Sequence, residues 1–257
     1  MKYTNHFADK SGDYGKFRPT YPEALFHYLA NLTTDHDLVW DCGTGTGQAA
    51  IALAHYFKHI IATDVNQAQL DAAPQKSNVH YQHCNAEQTP IATASVDLVT
   101  VAQALHWFDL PSFYTEVNRV LKPTGIIAAW CYSLGHLTPD IDRLIQKLYA
   151  DTLGDMYWPK ERHYIDEEYK TILFPFNKMT APKFTIEKRM NFADLLGYLQ
   201  TWSALKEYQQ RNHANPLSSI MSDLKRTWGN PETEYTMIWP IHLLVGQNSE
   251  KPDACKK

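Results

Sequence analysis

Three glycines at alternate positions, Gly43, Gly45 and Gly47, separate a short apolar run, Leu38–Cys42, from a helical stretch that runs from about Gly47 to Phe57. Glycine takes positive φ at no steric cost and lets a ligand lie against bare main chain. A strand, a glycine turn and a helix in that order open the sheets whose ligands bind beyond the carboxyl ends of the strands. The following residues keep the rhythm. Ile60–Thr63, Val79–Cys84, Val96–Ala102 and Ile126–Trp130 are predicted strands. Gln67–Ala73, which Asn66 can cap and Pro74 limits, and the stretch from Pro111 to about Val120 are predicted helices. Lys122-Pro123-Thr124-Gly125 is predicted as a turn. Short, nearly continuous apolar strands alternating with helices imply a mostly parallel sheet covered on both faces, an α/β doubly wound fold.

After Tyr132 the rhythm changes. Asp140–Ala150 is predicted to be helical, and an irregular aromatic stretch follows from Tyr157 to Phe176. Phe184–Met190 is predicted as a strand, Phe192–Gln210 and Pro216–Trp228 as helices, and Met237–Val245 as a final strand in which Pro240 argues for an edge or a bulge. The tail Asn248–Lys257 is polar and expected to fray. We expect one domain over residues 1–257, with a ligand-binding core at 35–132 and a lid over the carboxyl ends of the strands within about 134–230.

The chain has 257 residues, 44% of them hydrophobic, and a formal net charge of −4. That charge argues against nucleic acid as the main partner. The four cysteines, Cys42, Cys84, Cys131 and Cys255, have no zinc spacing, so no metal is signalled. Residues Met1–Phe7 lack the apolar region of a signal peptide, and no run approaches the roughly 20 apolar residues of a membrane helix. The expectation is a cytoplasmic protein without a membrane span.

Asp41 ends the first strand and Asp64 ends the second. A carboxylate at the second position can accept both ribose hydroxyls of a nucleoside, since it is acceptor-only when ionised. Gly45-Thr46-Gly47-Gln48-Ala49-Ala50 also satisfies the dinucleotide fingerprint, so a nicotinamide-dependent oxidoreductase stays open. Against it, Asp41 would sit unfavourably near a pyrophosphate, and would suit a ligand ammonium. The glycines also start earlier than a phosphate loop requires.

Asp41-x-Gly43-x-Gly45-x-Gly47, Asp64, Asn85-Ala86-Glu87, Val96-Asp97-Leu98-Val99 and Arg119-Val120-Leu121-Lys122-Pro123-x-Gly125 together resemble the class I S-adenosylmethionine-dependent methyltransferases of small-molecule type. Tyr14–Pro22, Gln103-Ala104-Leu105-His106-Trp107-Phe108 and Thr201-Trp202-Ser203 are similar to the trans-aconitate methyltransferase-like branch. The resemblance implies seven strands, the last one antiparallel, S-adenosyl-L-methionine as cofactor and a small-molecule methyl acceptor. It implies that Gly43, Thr44, Gly45 and Gly47 line the methionine part and that Asp41 holds its amino group. It further implies Asp64 at the ribose, Val65 against the adenine, and Asn85, Ala86 and Glu87 at the adenine edge. Ala102 and Gln103 would face the cofactor and the methyl group. Tyr14 and Arg18 would fold over the pocket, Arg18 pairing with the methionine carboxylate.

His106 follows the fourth strand on the expected substrate side. It is a candidate general base for a hydroxyl or thiol; the alternative is that it shapes the pocket, because a carboxylate acceptor is already ionised. Tyr157, Trp158, Tyr164, Phe174, Phe176, Trp202 and Tyr208 are expected to form lid core. Arg162, Arg189, Lys206 and Arg211 could meet an anionic substrate, or form a solvated face. A protein that binds the cofactor without turnover is the remaining alternative.

Overall fold

The apolar runs pair into one sheet, seen in a computed structural model that describes residues 17–248. In chain order these residues form α1 (Glu23–Asn31), β1 (Leu38–Cys42), α2 (Gln48–Leu53), β2 (His59–Asp64), α3 (Gln67–Asp71), β3 (Val79–His83), β4 (Val96–Ala102), α4 (Leu110–Val120) and β5 (Leu121–Tyr132). There follow α5 (Pro139–Gln146), a π-helical stretch (Lys147–Leu153), α6 (Gly154–Tyr157), α7 (Arg162–Asp166), β6 (Asn177–Lys178), β7 (Phe184–Met190), α8 (Phe192–Gln200), α9 (Ser203–Asn212), α10 (Ser218–Trp228) and β8 (Tyr235–Gln247). Two compact units divide them. The sheet unit holds Tyr21–Ser133, Tyr164–Phe184 and the chain from Ile241; the other holds residues 17–20, Leu134–His163 and Thr185–Pro240.

In the sheet unit the strand order is β3-β2-β1-β4-β5-β8-β6. Strands β1 to β5 are parallel, and β8 runs antiparallel to β5 from Ile126↔Gln247 to Tyr132↔Ile241. The sequence order reverses between β1 and β4, which makes the ends of these two strands the crevice where ligands bind in such sheets. Val39, Trp40, Ile60, Leu98, Val99 and Ile127 are fully buried, as a sheet covered on both faces requires. Leu25, Phe26 and Leu29 of α1 bury one side of that helix, and Phe26 meets Trp130 edge-on. On α4, Phe113, Val117 and Val120 are buried, and Phe113 packs against Trp40 with ring centroids 5.9 Å apart. Burying each such side chain contributes about 1.5–3 kcal/mol.

Asp97 interrupts the apolar run of β4 for a structural reason. Its Oδ2 accepts the backbone N–H groups of Asp37 at 2.9 Å and Leu38 at 2.8 Å, and Lys122 Nζ lies 2.5 Å from Oδ1. This fixes where β1 begins relative to β4. The predicted turn at Lys122–Gly125 falls at the entry of β5, where Leu121 pairs with Val96 and Ile126 with Leu98, so the register shifts across these four residues.

The second unit departs further from the sequence reading. The helix expected over Asp140–Ala150 starts at Pro139, capped by the Thr138 hydroxyl, and widens into a π-helix at Lys147. The helix expected over Phe192–Gln210 is two helices. The Thr201 hydroxyl donates to the Tyr198 carbonyl at 2.6 Å, and the chain bends to bury Trp202 among Tyr149, Trp158 and Tyr198. A capping box between Asn191 and Asp194 starts α8. The expected aromatic lid core is also divided. Tyr157 packs on Tyr208 and Trp158 on Trp202 in this unit. Phe174 and Phe176 instead pack against Tyr114 in the sheet unit, together with Tyr164.

The final strand is longer than expected, and Pro240 sits where its ladder with β5 stops, at Ile241, consistent with its missing N–H. Strand β7 pairs with β8, and the short β6 was not anticipated, so the sheet has eight strands where seven were implied. The tail after Asn248 lies outside the described residues. Among the described residues, no helix is long and apolar enough to cross a membrane. Among the same residues, no group of three or more His, Cys, Asp or Glu side chains could hold a metal ion.

Removing the Asp97 carboxylate leaves two backbone donors and Lys122 without their buried acceptor. Asp97→Ala is expected to lower unfolding free energy by about 3–5 kcal/mol in urea titrations. A loss below about 1 kcal/mol would show that the link between β1 and β4 carries little weight.

Candidate active site

The glycine turn lies at the carboxyl end of β1. Gly43, Gly45 and Gly47 have φ of +67°, +57° and +81°. At Gly43 a Cβ would stand 2.6 Å from the Ala104 Cβ, and at Gly47 it would collide with the Tyr81 ring. The two positions therefore need glycine for space as well as for conformation. The Thr44 amide donates to the Thr63 carbonyl at 3.0 Å, which ties the turn to β2.

Asp41 lies beneath the turn with no exposed surface. Its Oδ2 accepts from the Thr44 hydroxyl at 2.5 Å and its Oδ1 from the Thr100 hydroxyl at 2.7 Å. Burial pushes its pKa up to about 6 in spite of these two bonds, which favour the charged form. The carboxylate thus faces the turn and β4 from below.

Asp64 is the half-buried end of β2. Gly45 N–H donates to its Oδ2 at 2.8 Å, and Asn66 N–H donates to its Oδ1 at 2.8 Å. Burial raises its pKa, while both backbone bonds oppose the rise. A carboxylate has about four lone-pair sites, and the Val65 N–H also bonds to this one, so capacity remains for a further donor. The same carboxylate thereby joins the glycine turn to the end of β2, and the Asn66 side chain caps α3 as the sequence predicts. Val65 follows, its carbonyl bonded by His83 at 2.9 Å. Asn85 is exposed and Ala86 buried, and a Glu87 carboxylate oxygen accepts the Asp109 N–H at 3.2 Å.

Gln103, directly after Ala102 at the end of β4, has φ of +57°. A left-handed conformation outside glycine costs on the order of 1–3 kcal/mol and persists where the surroundings impose it. Here the Gln103 N–H donates to the Trp130 carbonyl at 2.8 Å and its side-chain N–H to the Tyr132 carbonyl at 3.3 Å. Its side-chain oxygen is buried and accepts no hydrogen bond. This is an orphaned acceptor at the crevice, the kind of group a bound donor would satisfy.

His106 is 7% exposed. Its Nδ1 lies 2.9 Å from the Tyr169 hydroxyl, and Trp107 lies against its ring. Arg18 belongs to the other unit, where its guanidinium donates to the Thr201 carbonyl at 3.3 Å and lies over the Tyr198 ring. Tyr14 lies outside the described residues.

The structure thus brings Asp41, Thr44, Gly45, Gly47 and Asp64 together through hydrogen bonds, with Gly43 packed against Ala104 beside them. Thr100, Tyr81 and Tyr169 join this region without having been singled out from the sequence. Only Thr100 left a signal, as a polar break in the β4 run. S-adenosylmethionine presents ribose hydroxyls and an ammonium as donors. The half-buried Asp64, the orphaned Gln103 oxygen and a turn bare of side chains suit such a ligand.

Comparison with known proteins gives the same direction. Residues 40–129 match the family model of a methyltransferase domain. A Dictyostelium discoideum protein named as a methyltransferase is 34% identical over 252 residues, 96% of each chain. A methyltransferase from Schizosaccharomyces pombe is 26% identical over 256 residues, 95% of this chain and 96% of the other. The solved structure of a type II methyltransferase from Anaeromyxobacter dehalogenans is 39% identical and superimposes with a TM-score of 0.84, over 90% of this chain and 98% of that one.

The raised pKa of Asp41 gives a pH test. Between about pH 4 and about pH 6 the unfolded chain has ionised this carboxyl while the folded chain still holds its proton. Its contribution to stability therefore falls as pH rises through that window. Relative to Asp41→Asn, the wild type should lose up to about 3 kcal/mol across it, read from urea unfolding at several pH values. A difference between the two proteins that does not change with pH contradicts this.

Proposed function

Because this chain belongs to the class I S-adenosylmethionine-dependent methyltransferases, we propose that it methylates an oxygen nucleophile, a carboxylate or a hydroxyl, on a small molecule. The enzyme's cofactor is S-adenosyl-L-methionine, and membership of this family replaces the dinucleotide reading of Gly45–Ala50. The observation that best supports the site assignment is the bond from Gly45 N–H to Asp64. It joins the glycine turn to the acid at the end of β2, which supports reading the two as one binding surface.

When bound, the cofactor supplies an electrophilic methyl group on a sulfonium. In our reading Asp64 accepts from the ribose hydroxyls, Val65 lies against the adenine, and Asn85, Ala86 and Glu87 meet its edge. Gly43, Thr44, Gly45 and Gly47 give the methionine part a bare backbone. Asp41 keeps that turn in place through Thr44 and offers negative charge beneath it, a positioning role. The Gln103 side-chain oxygen and Ala102 face the methyl end. His106, buried and bonded to Tyr169, shapes the pocket wall and takes no proton. The protein's share of catalysis is alignment, and holding two reactants in register can supply about 7–11 kcal/mol.

Calorimetry with S-adenosylhomocysteine tests the cofactor site. Asp64→Ala should weaken binding by about 1.5–3 kcal/mol, the range for bonds to a charged group, with the fold retained. Unchanged affinity would remove Asp64 from the site. Incubation with methyl-labelled cofactor and a panel of hydroxyl and carboxylate metabolites should place label on a small molecule. Label found only on nucleic acid or protein would overturn the acceptor class.

A further inference from the structure

The segment after α7 brings two side chains to two different histidines. Glu168 and Tyr169 have consecutive left-handed backbones, with φ of +58° and +61°. Tyr169 is fully buried and its hydroxyl meets His106, while the Glu168 carboxylate stands 3.6 Å from Nδ1 of His242. His242 lies on β8 opposite Cys131 of β5, and its Nε2 is 3.0 Å from the Ser133 hydroxyl. Ser133 is the first residue beyond β5. It follows Tyr132, whose carbonyl receives the Gln103 side-chain N–H from the end of β4. A row of Ser133 Oγ, His242 Nε2 and Nδ1, and Glu168 Oε2 therefore begins at the carboxyl edge of the sheet, beside the crevice.

A histidine can take a proton at Nε2 only if the other nitrogen carries the hydrogen, and a carboxylate near Nδ1 favours that tautomer by its charge; Glu168 acts here across 3.6 Å, beyond hydrogen-bond length, with the same Oε2 paired to Lys170 Nζ at 2.5 Å. The His242 side chain is 16% exposed. Burial lowers its pKa, Lys170 lowers it further and Glu168 opposes both, so the neutral ring is favoured near neutral pH. The groups facing it are Glu168 and Lys170 from the segment after α7 and Cys131 and Ser133 from the β5 side. His106 has a tyrosine hydroxyl on Nδ1.

We propose that Ser133 and His242 form a proton relay for a hydroxyl methyl acceptor, with Glu168 fixing the imidazole. The proposal rests on the methyltransferase reading and narrows its acceptor to the hydroxyl class. In the step, the acceptor oxygen bonds the methyl carbon and the sulfur keeps the electron pair of the bond that breaks. The acceptor proton passes to Ser133 Oγ as the serine proton passes to His242 Nε2. Ser133 ends unchanged and His242 ends as an imidazolium beside Glu168.

Long-range proton–nitrogen NMR of histidine-labelled protein tests the relay without any acceptor. The wild type with S-adenosylhomocysteine should show His242 neutral near neutral pH, with hydrogen on Nδ1. Glu168→Gln should weaken that tautomer preference and lower the His242 pKa further. A dominant Nε2–H form, or an imidazolium near neutral pH, overturns the relay, because neither can take the serine proton. Calorimetry on the same samples separates the two readings. Binding with the wrong tautomer sinks the relay alone, whereas no binding sinks the methyltransferase site. Among acceptors found by the panel, hydroxyl compounds should predominate, and His242→Gln should slow them about 100-fold or more while flattening their pH–rate profile. A panel that yields carboxylates alone also overturns the proposal.

Discussion

Beneath the glycine turn, the Asp41 carboxylate is closed off from water and held by two threonine hydroxyls, one from the turn and one from β4. Burying a carboxyl without partners is costly, and the Thr44 and Thr100 hydroxyls and the Ala50 backbone N–H supply partners for Asp41. That arrangement fixes the turn over the end of β1 and the end of β1 against β4. It leaves Gly45 N–H pointing at Asp64, and Gly43 so close to Ala104 that no side chain fits. The shape of the glycine turn follows from these contacts.

The two polar residues that interrupt β4 divide the labour between the ends of the sheet. Asp97, near the amino end, binds the start of β1 and Lys122, and acts on stability. Thr100, near the carboxyl end, bonds Asp41 and acts on the site. Gln103 then leaves the strand in a left-handed conformation, with one side-chain atom bonded to β5 and the other buried without a partner. Strain and an unsatisfied acceptor at one residue are a local cost to stability.

Much of this was legible in the sequence because it is local. The glycine turn, the Asn66 cap and strand β4 depend on near neighbours and were found at or close to their observed places. The turn chemistry of Lys122-Pro123-Thr124-Gly125 marks the register shift at the entry of β5, but the pairing of Leu121 with Val96 and the ion pair of Lys122 with Asp97 join residues far apart along the chain and left no signal. The break between α8 and α9 was missed because Trp202 is buried by residues about fifty positions earlier. The arrangement of Ser133, Glu168 and His242 left no motif at all, since three separate segments supply it.

The most direct test of the site is a crystal structure with S-adenosylhomocysteine bound. The account predicts the ribose hydroxyls on Asp64 with the Gly45 bond retained, the amino-acid part along Gly43–Gly47, and a ligand donor on the Gln103 oxygen with its φ still positive. A nucleoside held away from Asp64, or a Gln103 that relaxes to ordinary backbone and turns its side chain to solvent, would contradict it.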